Sequence, residues 1–230
     1  MNLLDIDCDE DLLRVAFTHP SYTKEHEISS LLSYERMEFL GDAVLKLVIS
    51  KLLYKKYPEY AEGELSKIRS ILVSDAILAN VATEIGLDKK MILGSGEEHT
   101  GGRTRESNIA CTMEAVLGAY FLDGKIDFVE TFLNEVLLPK ADDIENHFEK
   151  YNAKAVLQEY TQKESNITPI YTTLNVSGPN HKPIFEVEVK YLDNVLAMGK
   201  GHSKKEAQQD AALKACVALG IIQTEEGDDE

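Results

Sequence analysis

The feature that most constrains the fold is a change of period near residue 150. From Leu12 to about Phe148, apolar residues recur at three- and four-residue spacing with almost no strand alternation, as in Leu65-Ser-Lys-Ile-Arg-Ser-Ile-Leu-Val-Ser, Ala76–Ile85 and Met113–Leu122. That spacing gives each segment one apolar helical stripe. Turn signals separate the helices at Tyr57-Pro-Glu-Tyr-Ala-Glu-Gly, Leu93-Gly-Ser-Gly, Gly101-Gly and Asp123-Gly-Lys. Beyond residue 152 the pattern changes. Ile170-Tyr-Thr-Thr-Leu-Asn-Val, Ile184-Phe-Glu-Val-Glu-Val-Lys-Tyr and Val195-Leu-Ala-Met-Gly are β-rich and separated by Gly178-Pro-Asn-His and Leu192-Asp-Asn. A helix over Ala155–Lys163 precedes them and one over Ser203–Leu219 follows. The chain is therefore expected to be multidomain: an all-α domain over 1–148, a small α-β-β-β-α domain over 149–222 and a polar tail over 223–230. Residues 143–152 read as a helix end running into a polar linker. A chain of 230 residues with 43% hydrophobic content has enough material for two modest cores.

A formal charge of −16 argues at first against a polyanionic partner, but the charge is unevenly distributed. Residues 1–150 hold 16 Lys and Arg against 28 Asp and Glu, residues 151–222 hold 8 against 7, and residues 223–230 hold none against 5. The second domain is near neutral, with clustered lysines. Cys8, Cys111 and Cys216 are widely spaced and form no Cys-x-x-Cys pair, so neither a disulfide framework nor a zinc site is expected, and a reducing cytoplasm is the simplest compartment. The N-terminal residues are acidic where a secretory signal needs basic ones, and Lys46 and Lys51 interrupt the longest apolar stretch. Nothing predicts a membrane span.

Chemistry concentrates in Tyr34-Glu-Arg-Met-Glu-Phe-Leu-Gly-Asp-Ala-Val-Leu. On a helix, Glu35, Glu38 and Asp42 fall within a sector of roughly 60°, leaving Met37, Phe39, Leu40, Val44 and Leu45 for packing. Like charges so close are costly unless a cation neutralises them. Oxygen ligands with no nearby imidazole suit Mg²⁺, with Mn²⁺ as a substitute. Glu114, inside the apolar run that follows Glu106-Ser-Asn-Ile-Ala-Cys, would complete a carboxylate cage able to hold ions that act on a phosphate. The alternative reading of the first cluster is a solvated acidic face. The glycine-rich Gly94-Ser-Gly and Gly101-Gly-Arg lack the setting of a nucleotide-binding loop, so no nucleotide cofactor is expected. His19 in Thr-His-Pro-Ser-Tyr has no ligand spacing to other histidines and reads as a turn or packing residue.

The second domain carries Gly199-Lys-Gly-His-Ser-Lys-Lys-Glu-Ala-Gln-Gln-Asp-Ala-Ala. Ser203 is placed to cap a helix whose first turn contains Lys204 and Lys205, with Gln208 one turn on. Backbone N–H groups and two ammonium groups then face a phosphate backbone together.

The signature Tyr34-Glu-Arg-Met-Glu-Phe-Leu-Gly-Asp-Ala resembles that of ribonuclease III, the double-stranded-RNA endonucleases. Thr18-His-Pro-Ser-Tyr, Glu62-Gly-Glu-Leu-Ser-Lys-Ile-Arg, Arg105-Glu-Ser-Asn-Ile-Ala and Glu114-Ala-Val-Leu-Gly-Ala-Tyr-Phe-Leu-Asp-Gly extend the likeness over about residues 12–222. The resemblance implies that Glu38, Asp42 and Glu114 are catalytic metal-binding acids and that Glu35 and Glu62 are accessory acids near the cleft. The lysine-bearing run resembles the last helix of double-stranded RNA-binding domains, which implies minor-groove contacts from Gln158, Glu159 and His181. Such domains read duplex shape over about 16 base pairs. The resemblance also implies a homodimer in which Phe39 packs into the partner, products with 5′-phosphate and 3′-hydroxyl ends, and a role in processing precursor ribosomal and other RNAs.

One position departs from the family pattern: Cys111 stands where the family has Asp, one helical turn before Glu114. A thiol with an ordinary pKa of about 8.5 is a poor Mg²⁺ ligand and adds no charge. Two functions are therefore open, a metal-dependent endoribonuclease and a dimeric duplex-RNA binder whose catalysis is impaired or lost.

Overall fold

In the computed structural model, residues 3, 7–179 and 183–222 are described, the side chains of 149 and 150 excepted. The chain divides into two compact units between Asn146 and His147. The first is helical: α1 (Glu10–Phe17), α2 (Pro20–Glu25), α3 (Glu35–Lys56), α4 (Glu62–Leu72), α5 (Asp75–Glu84), α6 (Ser95–His99), α7 (Glu106–Leu122), α8 (Ile126–Val136) and α9 (Lys140–Asn146). No helix among the described residues is long and apolar enough to cross a membrane.

The core forms around α3 and α7. Nearly every side of α7 is apolar, and 11 of its 17 residues are buried, as expected of a helix surrounded by others. Two glycines set its distance from α3. A Cβ on Gly41 would lie 1.7 Å from the Glu114 carbonyl oxygen, and one on Gly118 would lie 2.5 Å from the Met37 carbonyl oxygen. Only residues without a side chain permit such backbone contact. Local caps fix the flanking elements. The Asp9 carboxylate accepts from the amides of Asp11 and Leu12 at the start of α1. His19 Nδ1 accepts from the Ser21 amide at 3.0 Å ahead of Pro20, the first residue of α2. His19 thus has the turn role that Thr-His-Pro-Ser-Tyr suggests. Burial pushes its pKa down, favouring the neutral ring that this acceptor role needs.

The second unit contains α10 (Phe148–Tyr151), α11 (Ala153–Ser165), the strands β1 (Ile170–Ser177), β2 (Ile184–Tyr191) and β3 (Asn194–Gly201), and α12 (Lys204–Ala218). The strands form an antiparallel sheet in the order β1-β2-β3. Leu192 and Asp193, both at positive φ, make the tight turn between β2 and β3. Leu157 of α11, Val189 of β2 and Ala211, Ala212, Ala215 and Cys216 of α12 form the core. Here too glycine admits the helix: a Cβ on Gly199 would lie 2.2 Å from the Ala211 amide nitrogen.

Within 143–152 the expected helix end is that of α9 at Asn146, and the boundary between the two units follows it. The stretch beyond is more helical than a polar linker suggests, with α10 over Phe148–Tyr151 and α11 from Ala153. The tail 223–230 lies outside the described residues.

Candidate active site and nucleic-acid interface

Glu35, Glu38 and Asp42 begin α3, and the Gly41–Glu114 contact brings α7 against the same stretch. The Glu35 carboxylate accepts from Ser33 Oγ at 3.2 Å. Asp42 accepts from Lys46 Nζ, one turn on, at 2.7 Å. The Glu114 carboxylate takes part in no ion pair or hydrogen bond among the described residues. Burial, followed by the negative charges of Asp42, Glu38 and Asp75, pushes its pKa up to about 8, and Lys46 opposes this. Carboxylates from two helices thus share a partly buried region whose negative charge is incompletely compensated. As the side chains stand, no group of three or more His, Cys, Asp or Glu among the described residues closes into a ready metal cage. The donor set is nonetheless hard oxygen with excess negative charge, which fits a divalent cation of the Mg²⁺ type.

Cys111 lies one turn before Glu114 on α7. Burial, the charge of Glu38 and a hydrogen bond to it push the thiol up to about 12, so it is neutral at physiological pH and unsuited to act as a nucleophile. Tyr34, buried, interacts with the same thiol. Burial and the neighbouring Cys111 and Glu38 raise its phenol, and its ring meets His19 edge-on at 5.5 Å.

Sequence reasoning missed Asp75. It opens α5 on the stripe shared with Leu78, Ala79 and Ala82, three buried residues of that helix, and its charge acts on both Cys111 and Glu114. A Ser-Asp pair before an apolar helix reads simply as a helix start, so nothing in the sequence tied it to α7. Glu62 is placed elsewhere. It opens α4, accepts from Ser66 Oγ at 2.7 Å and lines a groove with Ser50, which lies 12 residues, or about 18 Å, along α3 from Glu38.

In the second unit, Ser203 Oγ accepts from the Glu206 amide at 3.1 Å and so caps α12. Lys204 and Lys205 in the first turn are exposed and form no ion pair among the described residues. Lys190, Lys200 and Lys214 are paired with Glu188, Glu186 and Asp210. Gln208 accepts from Lys154 Nζ at 2.7 Å, and that ammonium also lies 4.8 Å from the Tyr171 ring centroid. Gln158 and Glu159 are exposed on α11. His181 lies outside the described residues.

A helical unit with a carboxylate site, followed by a separately folded α-β-β-β-α unit with unpaired lysines at a helix start, defines a nuclease-like protein with a nucleic-acid-binding module. Residues 9–141 match the Ribonuclease-III-like family model and residues 153–219 the double-stranded RNA binding motif. The chain is 44% identical over 212 residues to Ribonuclease 3 of Streptococcus mutans, covering 92% of this chain and 91% of that one. It is 45% identical over 212 residues, with the same coverage, to Ribonuclease 3 of Streptococcus uberis. A solved nuclease domain of ribonuclease III from Campylobacter jejuni, described as flexible in a region involved in dimer formation, is 35% identical with a TM-score of 0.54. That match covers 59% of this chain and 90% of the other. The chain belongs to the ribonuclease III family.

Proposed function

We propose that this protein is a divalent-metal-dependent endoribonuclease that hydrolyses phosphodiester bonds in double-stranded RNA. Glu38 and Glu114 hold the ion, and Asp42 shares in holding it or orients the attacking water. Glu35, fixed by Ser33, orders the start of α3. When bound, Mg²⁺ or Mn²⁺ supplies Lewis-acid polarisation of the phosphate and neutralises the acidic cluster. The observation that carries this reading is the backbone contact of Gly41 with Glu114, which sets the Glu38 and Asp42 stretch of α3 against Glu114 of α7, so that carboxylates of two helices crowd one partly buried region and favour a cation. Glu62, at the start of α4 and in the groove with Ser50, is an accessory acid. Lys204 and Lys205 at the capped start of α12, with Ser203 and Gln208, engage the RNA backbone, while Gln158, Glu159 and His181 reach the minor groove.

The active form is a homodimer. Phe39, Leu47 and Tyr54 leave one side of α3 at 82%, 67% and 74% exposure, and Phe39 borders an apolar groove lined by Val15, Met37, Leu40 and Leu122. A second copy that buries this stripe removes an apolar surface from water. Each subunit cuts one strand, leaving 5′-phosphate and 3′-hydroxyl ends, in the processing of ribosomal precursor and other RNAs in the cytoplasm.

Cys111 favours a second reading, a duplex-RNA binder with impaired catalysis, because its neutral thiol adds neither charge nor hard oxygen to the site. Incubating a labelled duplex with Mg²⁺ or Mn²⁺ and the parent, Cys111→Asp or Glu114→Ala separates the two. The first reading expects cleavage by the parent that Glu114→Ala abolishes. An inert parent revived by Cys111→Asp establishes the second.

A further inference from the structure

The nuclease unit is acidic, and its partly buried arginines differ in how they are compensated. Arg103 donates to Glu98 from Nε at 2.8 Å and from Nη2 at 2.5 Å. Arg69, on α4, is also partly buried but forms no ion pair among the described residues. Its Nη1 donates to Ser50 Oγ at 2.6 Å and its Nη2 to Ser66 Oγ at 3.4 Å. Both hydroxyls use their own protons elsewhere, Ser50 on the Lys46 carbonyl at 2.5 Å and Ser66 on Glu62 at 2.7 Å. Toward Arg69 they act only as acceptors, and the guanidinium keeps its charge with N–H donors to spare. A neutral amide would tie the helices at less desolvation cost, so a structural bridge alone does not account for a cation here.

Its location suggests what the charge is for. Arg69 lines an open groove of about 370 Å³ with Tyr54 at the rim. Glu62, the one carboxylate lining that groove, accepts from Ser66 and makes no ion pair with Arg69 among the described residues. Ser50, the α3 anchor of Arg69, follows Asp42 by eight residues, or about 12 Å along the helix axis. An RNA strand that places one phosphodiester at the acidic cluster and follows α3 meets the groove with a phosphate further along the same strand.

We propose that Arg69 is a seat for a phosphate of the RNA backbone flanking the cleavage position. The proposal rests on the reading of duplex RNA as substrate. A guanidinium fork matches phosphate oxygens, and phosphate contacts of this type set register without reading sequence.

The test uses the full-length protein and a labelled RNA duplex without divalent metal. Affinity is measured across a salt series for the parent, Arg69→Gln and Arg69→Lys, alongside melting temperature and solution mass. Arg69→Gln is expected to bind roughly tenfold more weakly and to lower the slope of log K against log salt by about 0.9, whereas Arg69→Lys keeps the parent slope. A parent that binds duplex while Arg69→Gln matches it in affinity and slope overturns the phosphate seat alone. A parent that does not bind duplex overturns the substrate reading and the seat with it. A lower melting temperature with an unchanged slope, or a dimer that dissociates in Arg69→Gln, makes Arg69 a tie between helices or between copies and also overturns the seat. Loss of slope in Arg69→Lys shows that the effect is not one of charge and does the same.

Discussion

The two units use uncompensated charge in opposite ways. In the first, carboxylates from α3 and α7 share a partly buried region, with the exposed Asp75 of α5 close enough to act on them, and burial together with their mutual repulsion pushes Glu114 up and favours a cation. In the second, Lys190, Lys200 and Lys214 are neutralised by neighbours, while Lys204 and Lys205 remain unpaired at a helix N-terminus. One unit therefore concentrates negative charge where a small hard ion fits, and the other leaves positive charge where an extended polyanion fits. Net charge alone, −16 for the chain, conceals this division.

The contrast is sharpest in catalysis against binding. Glu114→Ala is expected to lower duplex cleavage by at least about 10³-fold while leaving duplex affinity within about twofold, as gel assays and fluorescence anisotropy would show. Lys204→Ala with Lys205→Ala is expected to do the reverse. Affinity falls on the order of tenfold or more for every duplex sequence, the salt slope drops by about 1.8, and turnover at saturating RNA is preserved. Equal losses in both variants would break the division.

Next in size is the packing that creates the acidic site. Gly41→Ala places a methyl against the Glu114 carbonyl and is expected to cost about 3 kcal/mol or more, read as a lower urea midpoint for the first unit with the transition of the second unchanged. Gly199→Ala, against the Ala211 amide, should do the converse.

The smallest effect is on pH dependence in metal-free protein. Because the Glu114 pKa is raised from 4.5 to about 8, the native state binds more protons than the unfolded state between those values. Its contribution to stability is thus fully present below about pH 4.5, declines as pH rises and is lost above about pH 8. Glu114→Gln should flatten this decline and stabilise the metal-free protein at pH 8 by about 1 kcal/mol, measured by denaturant titration. A decline unchanged in Glu114→Gln would place the charge demand on other residues.

Much of this arrangement was legible in the residues. The shift from a three-to-four period to alternation foretold helices followed by three strands. Spacings of three and four placed Glu35, Glu38 and Asp42 on one side of α3, and Ser203 capped the helix it preceded. These are local matters, decided by backbone geometry within a few residues of each position. The helix end within 143–152 was legible, whereas the short α10 was not, because a single helical turn and a linker share the same polarity.

What the sequence by itself determined is the order of elements, the stripe each one buries and the chemistry available along it. Only the tertiary structure decided that Gly41 and Gly118 bring α3 and α7 into backbone contact, that Asp75 joins Glu114, and that Arg69 has hydroxyls rather than a carboxylate for partners. The physical reason is range. Periodicity and capping act over a turn or two of chain, whereas electrostatic coupling and close packing depend on distances between segments dozens of residues apart, which are fixed only when the cores assemble.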